Sequence, residues 1–135
     1  MKKTTRPRRT PRTRQRAEEP LSPRQLARRL RLLPGWEAEG GNRELVGRYT
    51  LGTTPSAVFA AMLIVFTAES LRRDLRVELH GLRLTLRLTT PAAGAVTRAD
   101  VDLAELLARG PMSLTDLDTR LSAMVAATGF WNDRT

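Results

Sequence analysis

The most regular pattern in the chain runs from residue 75 to residue 89. Leu75, Val77 and Leu79 alternate with Arg76, Glu78 and His80. Beyond Gly81, Leu82, Leu84, Leu86 and Leu88 alternate with Arg83, Thr85, Arg87 and Thr89. A period of two marks strands with one buried face. A two-residue turn at His80-Gly81 is expected to keep both leucine sets on one side. The opposite face then carries Arg76, Glu78, Arg83 and Arg87, polar and mostly basic, open to water or a partner. A second hairpin is expected upstream: Trp36 to Glu39, a turn at Gly40-Gly41-Asn42, and a return strand from Glu44 to Leu51. Trp36 is expected in the core or at its edge.

Helical spacing fills the rest. Ser22-Pro23 reads as an N-cap and first helical position. Leu26, Leu30 and Leu33 follow, and Pro34-Gly35 stops the helix. Thr53 or Thr54 caps a second helix, expected to run to about Arg73. Its middle, Ala57 to Ala68, is apolar nearly all round. A helix with no polar face is covered on more than one side. A second subunit contacting Val58, Met62, Val65 and Phe66 is one way to supply that cover; burial within one copy is the other. Thr97-x-x-Asp100 has the form of a capping box for a third helix through Leu107, closed by Gly110-Pro111. Ser113 or Thr115 begins a fourth, with Leu114, Leu117, Leu121, Met124 and Val125 as its stripe and Gly129 at its end. The order predicts an α+β domain: a four-stranded antiparallel sheet with helices on one face, plus a C-terminal helix.

Composition narrows the function classes. The chain has 135 residues, no cysteine and one histidine, His80. Disulfides, thiolate metal sites and multi-imidazole zinc sites are excluded, and no metal site or cofactor is expected. The longest apolar run, twelve residues, is too short for a membrane helix, which needs about twenty. The net charge is +9, and +6 of it falls in residues 1–21, where eight Lys/Arg face only Glu18 and Glu19. That segment has no apolar periodicity and contains Pro7, Pro11 and Pro20. It is expected to be a disordered basic arm that either tethers an acidic partner or nucleic acid, or serves as a solubilising tail. The expected organisation is an arm at 1–21, a domain at 22–110, and a helix and tail at 111–135. Phe130 and Trp131 are expected either to fold back on the domain or to anchor a partner.

From Leu33 to Ala108 the chain resembles the pterin-4a-carbinolamine dehydratases. Leu33-Pro34-Gly35-Trp36 matches the family's entry into its first strand, and Ala68-Glu69 matches its acidic position before a histidine pair. Arg87-Leu88-Thr89-Thr90 followed by Gly94-Ala95-Val96-Thr97-Arg98-Ala99-Asp100 is similar to its "RLTTH…GGLT…D" stretch. The resemblance implies an α-β-β-α-β-β-α fold. In the same ungapped register the family's two consecutive histidines fall on Arg73 and Asp74. Its third falls on Pro91, while Glu69 and Asp100 stay acidic. Glu69, Arg73, Asp74, Pro91 and Asp100 thus form the expected remnant of a catalytic pocket, with no residue expected to be catalytic.

The chemistry follows from those replacements. Dehydrating a hydroxylated tetrahydropterin needs one proton removed from a ring nitrogen and one delivered to the leaving hydroxyl. Imidazole suits both because its pKa lies near operating pH. Arg73 stays protonated and Pro91 has nothing to titrate. His80 lies at none of the family positions and is expected to be an exposed turn residue. The expectation is therefore a non-catalytic binder. The resemblance extends to dehydratase-like proteins associated with α-carboxysome operons. It implies a Rubisco assembly factor; the apolar second helix makes a homodimer the expectation, and the basic sheet face makes Arg76, Arg83 and Arg87 the expected contacts to the Rubisco large subunit or an assembly intermediate. The location it implies is cytoplasmic, with carboxysome association and no membrane. A divergent dehydratase using Glu69, Asp74 and Asp100, a nucleic-acid or transcription-factor partner, and a structural component of a larger complex are the other readings.

Overall fold

A computed structural model describes residues 18–109 and 113–128. The basic arm up to residue 17, Gly110-Pro111, Gly129, and Phe130 with Trp131 lie outside the described residues. Helix α1 spans Pro23–Leu30. The Ser22 hydroxyl accepts from the Gln25 amide, and the Gln25 side chain accepts from the Ser22 amide, so two otherwise unpaired donors are satisfied. Strands β1 (Trp36–Glu39) and β2 (Glu44–Thr50) form the first hairpin, and helix α2 spans Thr54–Ser70. Thr53 caps α2 through a reciprocal pair with Ser56.

Strands β3 (Asp74–His80) and β4 (Arg83–Thr89) form the second hairpin, followed by helices α3 (Arg98–Ala108) and α4 (Leu114–Thr128). Helix α2 ends three residues before the expected Arg73, because Arg72 takes a positive φ of 54° and turns the chain into β3. Ser113 caps α4 by accepting from the Asp116 amide.

The four strands lie in the order β1-β2-β4-β3, all antiparallel. Leu75 pairs with Leu88, Val77 with Leu86 and Leu79 with Leu84, so the two leucine sets share a face as expected. The turn is displaced by one residue. His80 pairs with Arg83, and the two turn residues are Gly81 and Leu82, not His80 and Gly81. Gly81 carries φ +62°, which a residue without Cβ adopts freely at the first turn position.

The helices cover one face of the sheet. Leu84, Leu86 and Leu88 are fully buried there with Leu45, Ile64, Val101 and Leu114. Each such side chain contributes about 2 kcal/mol by leaving water. The buried line of α2 is mostly small: Ser56, Ala57, Ala60, Ile64 and Ala68. Small residues let the helix approach the sheet closely. The consequence is an outward stripe of large apolar residues, Val58, Phe59, Met62, Val65 and Phe66, each at least 44% exposed. Helix α4 is anchored by Asp118, which accepts from the Gly52 amide at 2.8 Å and the Ser56 hydroxyl at 2.9 Å. Leu114 is buried and Leu117, Leu121 and Val125 are half-buried, while Met124 of the expected stripe faces outward. Among the described residues no helix is long and apolar enough to cross a membrane.

Candidate functional site

The candidate site lies where β3 begins and β4 ends. Asp74, the first residue of β3, pairs with Thr89, the last of β4. The chain then turns through Thr90-Pro91, where the Ala93 and Gly94 amides both donate to the Thr90 carbonyl. Gly94 has φ +68°. The Val96 amide donates to the Asn42 carbonyl at 2.9 Å, so this loop is tied to the tip of the β1-β2 hairpin. Between the two loops lies an open cleft of about 350 Å³ lined by Arg43, Glu44, Thr89, Thr90, Pro91 and Gly94.

Behind the cleft wall is a buried polar group of three residues. Asp100 Oδ2 accepts from Thr90 Oγ1 at 2.8 Å, from the Thr97 amide at 3.0 Å and from Thr97 Oγ1 at 3.1 Å. The Asp100 amide donates to Thr97 Oγ1, which completes the capping box of α3. Asp100 has no exposed surface, and its Oδ1 accepts no hydrogen bond among the described residues. The acid is thus spent on holding α3 and the 90–97 loop together. It faces neither solvent nor cleft.

The other expected remnants separate. Pro91 lines the cleft. Asp74 is exposed at the same end of the sheet, and Glu69 is exposed one residue before the end of α2. Arg73 is engaged by Glu18, with 2.8 Å between Nη2 and Oε1. His80 is exposed at the far end of β3 from Asp74, about 20 Å away at strand spacing. The titratable groups lining the cleft are Arg43 and Glu44.

The open face of the sheet corrects the expectation of a mostly basic platform. Arg87 is held by three carboxylates: Glu78 at 3.2 Å, Glu44 at 3.1 Å and Glu39 at 3.5 Å. Arg48 is held by Glu37 and by Glu39, the latter at 2.6 Å. Glu78 comes from β3 of the same hairpin, whereas Glu37, Glu39 and Glu44 come from β1 and β2, which the pairing of β2 with β4 brings beside Arg87. The hydrogen bond from Arg48 holds the Glu39 carboxyl below its ordinary range, and the same bond raises the Arg48 guanidinium. Burial opposes the charge on Arg87, but its bonds to Glu78 and Glu44 prevail and raise its pKa. By register, four arginines (48, 76, 83, 87) share this face with four glutamates (37, 39, 44, 78). Arg76 and Arg83 remain exposed, whereas Arg87 is committed within the molecule.

Three comparisons bear on this arrangement. Residues 19–109 match the family model described as pterin 4 alpha carbinolamine dehydratase. A Streptomyces coelicolor protein provisionally named pterin-4-alpha-carbinolamine dehydratase is 38% identical over 88 residues, covering 64% of this chain and 84% of that protein. A Roseiflexus protein with the same provisional name is 33% identical over 84 residues, covering 62% of this chain and 88% of its own. Among solved structures, a transcriptional coactivator/pterin dehydratase from Brucella melitensis shares the fold. Its TM-score is 0.62 at 18% identity, over 74% of this chain and 99% of that one. Helix α4 lies beyond the stretch that the family model matches. The sequence match across 19–109 and the shared sheet-and-helix architecture together establish that this chain belongs to the pterin-4a-carbinolamine dehydratase family.

Proposed function

We propose that this protein uses the dehydratase scaffold to bind and does not catalyse dehydration. The observation that carries this reading is that the chain's single histidine, His80, lies at the opposite end of the sheet from the cleft; in the register of the resemblance, Arg73, Asp74 and Pro91 stand where the family has its histidines. Proton removal and delivery in one cleft need two groups that titrate near neutrality. Arg43 and Pro91 cannot serve, and Glu44 is ion-paired with Arg87. Asp100 is sealed behind Thr90. A dehydratase working through Asp74 is the second reading, favoured by the names of the relatives and by the position of Asp74 at the cleft end of the sheet.

The proposed binder is a homodimer, supported by the outward apolar stripe Val58, Phe59, Met62, Val65 and Phe66 on α2. Contiguous apolar surface of this kind favours association. The proposed client is the Rubisco large subunit or an assembly intermediate, and carboxysome association follows from that client. Its support is the resemblance of the small basic domain and its non-histidine positions 73, 74 and 91 to the dehydratase-like proteins of α-carboxysome operons. The relatives' names speak of dehydration, and that of the Brucella protein also of coactivation. The contact surface of this reading is Arg76 and Arg83 together with the basic arm, since Arg87 is neutralised in place. Charge-led capture is fast and salt-sensitive.

Size-exclusion chromatography with light scattering tests both parts of this proposal in one series. The protein alone is expected at twice its chain mass. With Rubisco large subunit it is expected to co-elute at low salt and to separate as salt rises. A monomer alone would contradict the dimer, and absence of co-elution at low salt would contradict the client.

A further inference from the structure

We infer that Arg73 and the backbone of Val96-Thr97 form a seat for an extended acidic peptide, which the chain's own Glu18–Leu21 segment occupies in cis. Three contacts define the seat. The Glu18 carboxylate lies 2.8 Å from the Arg73 guanidinium. Pro20 makes an isolated antiparallel bridge with Thr97, and the Leu21 amide donates to the Val96 carbonyl at 3.1 Å. Leu21 packs, half-buried, against the core. Charge, backbone pairing and an apolar side chain are the means by which an extended segment is recognised along an exposed backbone edge.

The asymmetry of the ion pair indicates which side is fixed and which exchanges. The Arg73 side chain is 13% exposed, whereas that of Glu18 is 53% exposed. A largely covered guanidinium requires an anion, while a half-exposed carboxylate at the end of a strap leaves readily. Glu18 is the one carboxylate bonded to Arg73 among the described residues. The stretch just before it, residues 1–17, holds eight Lys/Arg and no acid. That basic stretch adjoins Glu18 in sequence, so its charge adds to that of Arg73 in favouring an acidic partner. The backbone bridge and the slot for Leu21 select a peptide, because a sugar-phosphate chain offers neither. The seat is separate from the cleft beside Pro91, whose lining does not include Arg73. It goes beyond the proposed function and holds whether or not the cleft is catalytic.

Fluorescence anisotropy on the full chain tests this inference with a labelled peptide containing Glu-Glu-Pro-Leu and a control containing Gln-Gln-Pro-Leu. Glu18→Gln weakens the cis occupant and is expected to tighten the acidic peptide about fivefold. Arg73→Gln is expected to remove that gain, and the glutamine peptide to show none. Amide exchange at Leu21 is expected to quicken in Glu18→Gln, a readout independent of added peptide. Equal affinity for the two peptides overturns the inference. So does a Glu18→Gln chain with unchanged affinity and unchanged Leu21 exchange. Binding of a DNA or RNA duplex that quickens Leu21 exchange where the acidic peptide does not would overturn it in favour of a nucleic-acid seat.

Discussion

Replacing Gly47 with alanine is expected to cost about 3 kcal/mol of stability, at the upper end for overpacking a core. Gly47 lies in the middle of β2, where a glycine normally weakens a strand. Here it faces Trp36 of β1 in register, and the indole lies across it. A methyl carbon on Gly47 would sit 2.5 Å from Cε2 and 2.6 Å from Cζ2 of that ring. The ring has nowhere to go. Trp36 is 5% exposed, its Nε1–H donates to the Tyr49 hydroxyl, and the two rings meet edge to face with centroids 6.2 Å apart. Denaturant unfolding of Gly47→Ala measures the loss. The same substitution in a Trp36→Leu background is expected to cost under about 1 kcal/mol, because the clash is then gone. An equal penalty in both backgrounds would show that the indole is not the cause.

Asp100→Ala is expected to lose a similar amount, about 3 kcal/mol. One buried oxygen, Oδ2, accepts from two hydroxyls and one amide, and its removal leaves the Thr97 amide buried and unpaired and the Thr90 and Thr97 hydroxyls, 3.0 Å apart, with only each other. Each unpaired buried donor costs about 1–3 kcal/mol, and neighbours of this kind do not add fully. The reciprocal half of the capping box is lost as well, while Thr97 still accepts from the residue-100 amide. Asp100→Asn keeps an acceptor oxygen and is expected to lose about half as much. The midpoint of urea unfolding should fall while the slope is unchanged. A midpoint equal to wild type in Asp100→Ala would mean that the carboxyl is not a structural tie.

The alternation of Leu75–Leu79 and Leu84–Leu88 carried the hairpin, its buried face and its partner strand, because period two is a local property of the chain. The position of the turn was not legible that way. Turns at His80-Gly81 and Gly81-Leu82 both keep the leucines on one face, but the first would force positive φ on His80, whereas the second needs it at Gly81 alone. The capping-box spacing of Thr97 and Asp100 was visible, but Thr90, the third member, joins only through the folded loop. The charge of the open face misled for the same reason. Arg76, Arg83 and Arg87 are local to one hairpin with Glu78, whereas two of the three acids on Arg87, Glu39 and Glu44, arrive from β1 and β2 across a non-local pairing. Arg43 and Glu44, which line the cleft, and Glu18, which engages Arg73, were likewise beyond reach of local pattern.

The central proposition, a dehydratase scaffold without proton-transferring side chains, is tested most directly by the rate at which a 4a-hydroxytetrahydropterin loses water. Absorbance follows that loss with the purified full chain present and absent. The expected rate is indistinguishable from buffer, since each missing acid-base group withholds about 10²–10⁴ in rate. A saturable acceleration over buffer that disappears in Asp74→Asn would contradict it.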